Sequence, residues 1–166
     1  MIVKDNLLYH TTLQELESKI KRLPFYYSDH KVYKGDHTDC LVNLTYIGDE
    51  PKDSIFNFLH SIFNCPLDIV SWWRIRINIT FKQSESEIFG WHTDWGSVGY
   101  KPQFENMKTA LFYLNDTNGP TVFKDSDDKI DCVKNRLLIF NSCMEHSGTS
   151  HTEGDNKRVV INMNYF

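Results

Sequence analysis

The chain has 166 residues, a length typical of one domain with a substantial core. Its net charge of −4, without a Lys/Arg block, disfavours a nucleic-acid partner, and no apolar run is long enough to predict a membrane span. Aromatic residues make up 14% and favour strands packed around a β core. The 4 cysteines show no CxxC spacing and the N-terminus shows no signal-peptide pattern. We therefore expect free thiols and a cytoplasmic location in the producing or host cell.

Two helices are predicted in the first part of the chain. Thr12-Leu13-Gln14-Glu15 has the capping-box pattern, and apolar residues then recur at helical spacing until Pro24. A second helix is predicted from Asp53 or Ser54 to just before Pro66. Between the two helices, Cys40–Ile47 is a candidate strand.

From Ile69 onward the pattern changes to strands. Residues 73–81 alternate strictly between apolar and polar, the period of a half-buried strand. Turn residues, among them Asn118-Gly119-Pro120, separate the further strand candidates, which are Thr109–Leu114, Thr121–Phe123, Ile130–Val133, Arg136–Phe140 and Arg158–Asn164. We predict one domain over 1–166, mainly β with N-terminal helices. Residues 1–68 are expected to form a helical support region, and residues 69–166 the core of a double-stranded β-helix, or jelly roll.

The motif His92-Thr93-Asp94, followed much later by His146, is the most informative feature of the sequence. Two imidazoles and one carboxylate form the facial triad that suits non-haem Fe(II). A similar pair occurs by chance at His37-Thr38-Asp39, in turn-forming sequence, and at His151-Thr152-Glu153, too near the C-terminus for a sheet to follow. Strand-like sequence on both sides distinguishes His92.

Arg158 follows the second histidine on a strand-like segment. A guanidinium in this place is suited to hold a carboxylate near the metal. The alternatives are an exposed strand residue for Arg158, a turn former or helix cap for Asp94, and a surface-loop residue for His146. Cys143 is interpreted as a small loop residue rather than a ligand, because a thiolate shifts metal preference towards zinc or copper.

Several segments between Trp73 and Phe166 together resemble the 2-oxoglutarate/Fe(II)-dependent oxygenases, specifically the prolyl-4-hydroxylase-like branch and its small phage-encoded members. The matching segments are Gly90–Asp94, Thr109–Asn115, Asn135–Phe140, Glu145–Gly148 and Arg158–Asn162. The resemblance implies that His92, Asp94 and His146 bind the catalytic iron, and that Arg158 binds the distal carboxylate of 2-oxoglutarate.

The resemblance also implies a hydrogen bond from Tyr113 to the same carboxylate, although a buried core tyrosine with a satisfied hydroxyl is an equal alternative. Many relatives have a serine two residues after the arginine, where this chain has Val160. Asn162, on the same strand face, would have to supply any extra polar contact to the cosubstrate.

The implied function is that of a 2-oxoglutarate- and Fe(II)-dependent dioxygenase. It would use O₂ to hydroxylate a C–H bond of a prolyl or other amino-acid side chain, in a peptide or a small molecule. Residues Trp95–Asn106 are rich in glycine and aromatic residues, and we expect a mobile loop there that contacts the substrate. Two alternatives stay open: a cupin-like metal enzyme that does not use 2-oxoglutarate, and a non-catalytic jelly-roll binding module.

Overall fold

The computed structural model describes residues 1–29, 38–94 and 105–166. Its two helices are α1 (His10–Ile20) and α2 (Phe56–Leu67). The strands within these ranges are β1 (Ile2–Lys4), β2 (Tyr26–Ser28), β3 (Cys40–Ile47), β4 (Glu50–Pro51), β5 (Trp72–Phe81), β6 (Lys108–Tyr113), β7 (Thr117–Phe123), β8 (Lys129–Cys132), β9 (Arg136–Asn141), β10 (His146–Gly148) and β11 (Lys157–Tyr165).

In the described part of the chain these strands form two antiparallel sheets. The major sheet has the order β1-β9-β6-β11-β5-β3-β2, with β4 paired to β3, and the minor sheet has the order β10-β7-β8. The predicted fold class, a mainly β jelly roll with helices near the N-terminus, is confirmed. Neither helix among the described residues is long and apolar enough to cross a bilayer.

The two faces of the major sheet have different partners, because successive side chains of a strand point in opposite directions. On β11, Val159, Ile161 and Met163 lie in the larger core with buried residues of both helices, including Leu16 and Phe63. The neighbouring position Val160 belongs instead to a smaller core that joins the two sheets. The helices therefore cover one face, and the space between the sheets lies on the other.

The N-terminal region contributes more than helical support. Strands β1, β2 and β3 lie within residues 1–68 and pair into the major sheet, so the region expected to be a helical support is partly sheet. The predicted strand Cys40–Ile47 agrees with β3. That the whole chain is one domain stays a prediction.

Both helix starts differ from the sequence prediction. Helix α1 begins at His10, and the residue before it makes no side-chain cap bond, so the capping box at Thr12 was wrong. Helix α2 begins at Phe56 and includes Pro66 in its last turn. It ends at Leu67, and its C-cap residue Asp68 takes the left-handed conformation with φ of 53°.

The turn predicted at Asn118-Gly119-Pro120 lies inside strand β7. The pairing of β7 with β8 shifts register between Thr117 and Thr121, which accommodates a proline that cannot donate to a regular ladder. A Cβ on Gly119 would come within 3.0 Å of the Ser150 carbonyl oxygen, so the close approach of two backbones requires glycine there. Strand pairing and packing against distant residues thus override the local preference of these residues for a turn.

Candidate metal centre and its pocket

The two histidines of the predicted triad face each other across a main-chain bridge. The His92 amide donates to the His146 carbonyl at 3.1 Å, and the His146 amide donates back at 2.9 Å. Their ring centroids are 4.4 Å apart. Residues far apart in sequence are therefore held side by side by two backbone hydrogen bonds.

Both imidazoles are held in the tautomer that a metal ligand needs. His92 Nδ1 lies 3.1 Å from the Gly90 carbonyl oxygen, and His146 Nδ1 lies 2.9 Å from the Met144 carbonyl oxygen. A carbonyl has no proton to give, so each Nδ1 carries the hydrogen and donates it. In this tautomer each Nε2 carries the lone pair that can bind a cation.

Asp94 is surrounded by donors. Thr109 donates to Oδ2 at 2.6 Å and Asn164 donates to it at 3.1 Å, while Arg74 donates to Oδ1 at 3.0 Å. Asn162 lies between the two oxygens at 3.2 and 3.4 Å. The carboxylate is thereby oriented from strands β5, β6 and β11 at once, as the second shell of a metal ligand requires.

The electrostatics keep this carboxylate ionised. Burial raises the pKa of Asp94 and is the largest single influence, but electrostatic interactions with His146, Arg74 and His92 and the hydrogen bond from Thr109 together lower it well below its usual range. Only 7% of Asp94 is exposed. The ligand atoms of Asp94, His92 and His146 all lie within 4.8 Å of one another, which is a separation that one metal ion can bridge.

A Thr109→Val variant tests whether the donors around Asp94 matter to a metal. Val removes the hydroxyl that donates at 2.6 Å while keeping the side-chain shape. We expect the affinity for Fe(II) or Mn(II) to fall about 10- to 100-fold, measured by titration calorimetry under anaerobic conditions. Thr109→Ser keeps the hydroxyl and should bind almost as tightly as the wild type. Equal affinity in all three proteins would show that this donor does not position the ligand.

A pocket opens from the metal centre into the space between the sheets. Both sheets and His92 contribute to its walls, which include Asn78, Leu111, Thr121, Arg158 and Asn162. Arg158 is only 4% exposed. It donates through Nη2 to Thr121 Oγ1 at 3.2 Å, and its guanidinium lies 5.5 Å from the centroid of the Tyr113 ring. The pocket is thus lined by a buried cation as well as by two of the three candidate ligands, His92 and His146.

Tyr113 is close to Arg158 but already has a partner for its hydroxyl. The Tyr113 and Thr121 hydroxyl oxygens are 2.8 Å apart. Burial raises the pKa of Tyr113 to about 12, against the opposing charge of Arg158 and the bond to Thr121. The phenol is therefore protonated at neutral pH and is able to donate a hydrogen bond.

The Tyr113–Thr121–Arg158 cluster gives a second prediction. Thr121→Val leaves two buried polar groups without their shared partner, so we expect it to lower the free energy of unfolding by about 1–3 kcal/mol. Combined with Tyr113→Phe in denaturant unfolding experiments, it should cost less than the sum of the single changes. Strictly additive losses would mean that the two hydroxyls do not interact.

The distribution of unpartnered polar atoms supports a ligand in this pocket. Among the described residues, 7 buried side-chain nitrogen or oxygen atoms have no hydrogen-bond partner. Five of the 7 lie on the pocket-facing positions of β5 and β11, namely Arg76 Nε, Asn78 Oδ1, Thr80 Oγ1, Arg158 Nε and Asn162 Oδ1. Buried polar groups without partners are costly and need an explanation. A polar ligand between the sheets would supply the missing partners, so these residues fit a metal ion with an oxygen-rich cosubstrate.

The structure brings together the residues that the sequence analysis singled out. His92, Asp94 and His146 form one cluster, and Arg158 lines the same pocket. Asn162 lies at the metal end, where its amide donates to Asp94, rather than beside Arg158. Its contact with 2-oxoglutarate, like that of Tyr113, stays a prediction.

The other sequence candidates lie outside this cluster. Among the described residues, His151 is buried and bonds through Nε2 to the Asp155 carbonyl, and Cys143 is a free thiol that does not join the metal group. His37 and residues 95–104 of the expected substrate loop lie outside the described residues.

Sequence reasoning missed Thr121 and the donors to Asp94 other than Asn162. The sequence pattern predicts Thr121 only as the start of a strand, and Arg74 only as part of an alternating strand. The polar face of β5 between Arg74 and Thr80 was the available signal. Its strict alternation places every polar residue on one side of the sheet, and that side faces the pocket.

No family model matches the chain, and no curated protein matches it significantly. Solved structures with the same fold do match. An oxidoreductase of the 2OG-Fe(II) oxygenase family from Burkholderia pseudomallei has a TM-score of 0.72 at 15% identity, covering 99% of this chain and 84% of that chain.

Two further structures are similar over the same part of the chain. A prolyl hydroxylase from Trichoplax adhaerens, in complex with a hypoxia inducible factor peptide, has a TM-score of 0.64 at 16% identity, covering 99% of this chain and 82% of that one. HygX from Streptomyces hygroscopicus, with nickel, 2-oxoglutarate and hygromycin B bound, has a TM-score of 0.63 at 14% identity, with coverages of 99% and 81%. At these identities the likeness establishes the fold.

Proposed function

We propose that the protein is an Fe(II)- and 2-oxoglutarate-dependent dioxygenase that hydroxylates a C–H bond of a prolyl or other amino-acid side chain. One observation carries this proposal. A single pocket is lined by His92 and His146 of the three-residue metal group and by a buried arginine whose Nε has no partner. Metal ligands alone would fit many enzymes, whereas a metal with an anion receptor in the same pocket fits a metal-binding oxo acid.

The chain's own residues have separate tasks in this reaction. His92 and His146 hold the metal through Nε2, and Asp94 holds it through a carboxylate that needs no deprotonation at neutral pH, because its pKa is lowered. When bound, the iron and 2-oxoglutarate supply the oxidising chemistry, in which O₂ and the oxo acid give succinate, CO₂ and a hydroxylated product.

Arg158 binds the distal carboxylate of 2-oxoglutarate by charge-assisted hydrogen bonds. Tyr113, protonated because its pKa is raised to about 12, donates to the same carboxylate, and Thr121 orients both side chains. Asn162 lies at the other end, where its unpartnered Oδ1 lines the pocket next to the metal ligands. Leu111 and Val160 supply apolar walls that exclude water and strengthen the polar contacts.

The two alternatives are less favoured. A cupin-like enzyme without 2-oxoglutarate has no use for a buried arginine with an unpartnered Nε. In a non-catalytic module the triad residues would be ordinary surface residues. That interpretation does not account for exposures of only 7% at Asp94 and 2% at His146.

The substrate class is proposed from the sequence resemblance and the similar structures. Prolyl hydroxylases occur among the similar structures, and one of them is complexed with a peptide. HygX, which has a similar fold, binds hygromycin B. A small-molecule substrate is therefore included in the proposal. The place among small phage-encoded members rests on the sequence resemblance, and the cytoplasmic location stays a prediction.

The test is turnover by the iron-loaded protein. Purified protein with Fe(II), O₂ and 2-oxoglutarate is incubated with a panel of proline-containing peptides and free amino acids, and succinate and the +16 Da product are measured by mass spectrometry. We expect succinate release that requires both iron and 2-oxoglutarate and rises with one substrate class. Failure of the metal-loaded protein to bind 2-oxoglutarate would refute the function.

A further inference from the structure

Arg76 lies on the pocket side of β5, next to the metal centre. In the major sheet it pairs with Asn162 of β11 on one side and with Leu44 of β3 on the other. Paired residues share a face of the sheet, and adjacent strands are about 4.8 Å apart. Asn162 contacts the candidate metal ligand Asp94 at 3.2 Å. Arg76 is therefore the direct neighbour, on the adjacent strand, of a residue in contact with the metal centre.

Arg76 differs from its neighbour Arg74 in how its charge is compensated. Arg74 donates to Asp94 and to Asn164, each at 3.0 Å. Within the described ranges no carboxylate forms an ion pair with Arg76, and its buried Nε has no partner. Burial and the charge of Arg74 lower the pKa of Arg76, while Cys40, a hydrogen-bond partner, and the more distant charge of Asp94 raise it. A guanidinium stays charged even so, and a half-buried charge without a directly paired carboxylate is destabilising.

Arg76 and Arg158 cannot serve the same anion. Arg158 pairs with Thr80, four residues along β5 from Arg76, and this spacing corresponds to about 13 Å along the strand. Asn78 lies between them on the same face, with an unpartnered Oδ1. Besides Arg74, which is paired with Asp94, the pocket side of the sheet therefore has two separate cationic positions, Arg76 and Arg158.

We propose that Arg76, with Asn78 beside it, binds an oxyanion of the primary substrate, a carboxylate close to the carbon that reacts. The inference rests on the proposed function and narrows it to acidic substrates, such as amino acids with a free carboxylate. A phosphate group offers the same chemistry to a guanidinium, and the experiment separates the two sources.

The test compares anion effects on Arg76→Met and the wild type. Each protein is loaded with Zn(II), which has no redox chemistry, and saturated with 2-oxoglutarate so that Arg158 is occupied. Thermal unfolding is then followed with increasing acetate or inorganic phosphate, against chloride at equal ionic strength. An anion at ten times its dissociation constant should raise the wild-type midpoint by about 3–6 °C more than that of Arg76→Met.

The control is Arg22→Met, which makes the same exchange at an exposed arginine and should respond as the wild type does. Arg76→Lys keeps the charge and should retain part of the effect. The anion that raises the unfolding midpoint more, acetate or phosphate, identifies the substrate group as a carboxylate or a phosphate. Without added anion, Arg76→Met should unfold at the wild-type temperature or above it, because a destabilising charge is removed.

Equal anion responses in the wild type and Arg76→Met would overturn the proposal. A large loss of stability in anion-free Arg76→Met, not restored in Arg76→Lys, would also overturn it and assign Arg76 a structural role. Zn(II) and 2-oxoglutarate binding are measured first, and their absence in the wild type would refute the proposed function instead. In that case, the difference in anion response between the wild type and Arg76→Met still decides whether Arg76 binds an anion.

Discussion

In a His146→Ala variant, stoichiometric binding of Fe(II) or Mn(II) is expected to disappear while the fold is retained. The variant removes one of three ligands whose atoms lie within 4.8 Å of one another. The backbone bridge to His92 does not depend on the side chain, so the remaining ligands stay in place. Loss of a direct ligand should exceed the about 10- to 100-fold loss typical of second-shell changes.

Metal content after anaerobic loading, together with calorimetric titration, measures this effect. His10→Ala is the matched control, because His10 is an exposed residue at the start of α1 and should leave binding unchanged. Far-ultraviolet circular dichroism and thermal unfolding report on the fold. Full metal occupancy in folded His146→Ala would show that the metal lies elsewhere.

The second large effect is expected at Arg158. Arg158→Ala should weaken 2-oxoglutarate binding to the Mn(II)-loaded protein by about 10- to 100-fold, since a charge-assisted hydrogen bond to a buried carboxylate is worth about 1.5–3 kcal/mol. Arg158→Lys keeps the charge but loses the planar fork, so an intermediate loss is expected. Calorimetry under anaerobic conditions gives the dissociation constants.

Controls separate loss of the anion receptor from general damage. Metal affinity should remain close to that of the wild type in Arg158→Ala, because Arg158 contacts Thr121 and Tyr113 rather than the metal ligands. Arg22→Ala makes the same change at an exposed position. If Arg158→Ala binds 2-oxoglutarate as tightly as the wild type does, the cosubstrate carboxylate has another partner.

The sequence was sufficient to predict the fold class and the residues of the cluster because both depend on local patterns. Strict alternation in residues 73–81 predicted β5 and its two-faced character. Spacing within His92-Thr93-Asp94 and the order of His146 and Arg158 identified residues that the structure places around one pocket. Each of these signals is carried by residue type and short spacing.

The surroundings of the cluster could not be predicted, because they depend on which strands are neighbours. Asn164 donates to Asp94 across 70 positions of sequence, and Arg74 donates to it across 20. Only the pairing of β11 with both β5 and β6 brings them together. The turn wrongly predicted at Gly119-Pro120 has a similar cause, since a backbone from a distant segment packs against it.

The bridge between His92 and His146 sets the positions of two candidate metal ligands without setting their chemical identity. Main-chain hydrogen bonds at 3.1 and 2.9 Å place both positions, whatever side chain each carries. A replacement at either position would therefore arrive at the same place, facing its neighbour and the same pocket. Variation during evolution is able to exchange the donor atoms, and with them the preferred metal or the reactivity, without rebuilding the scaffold.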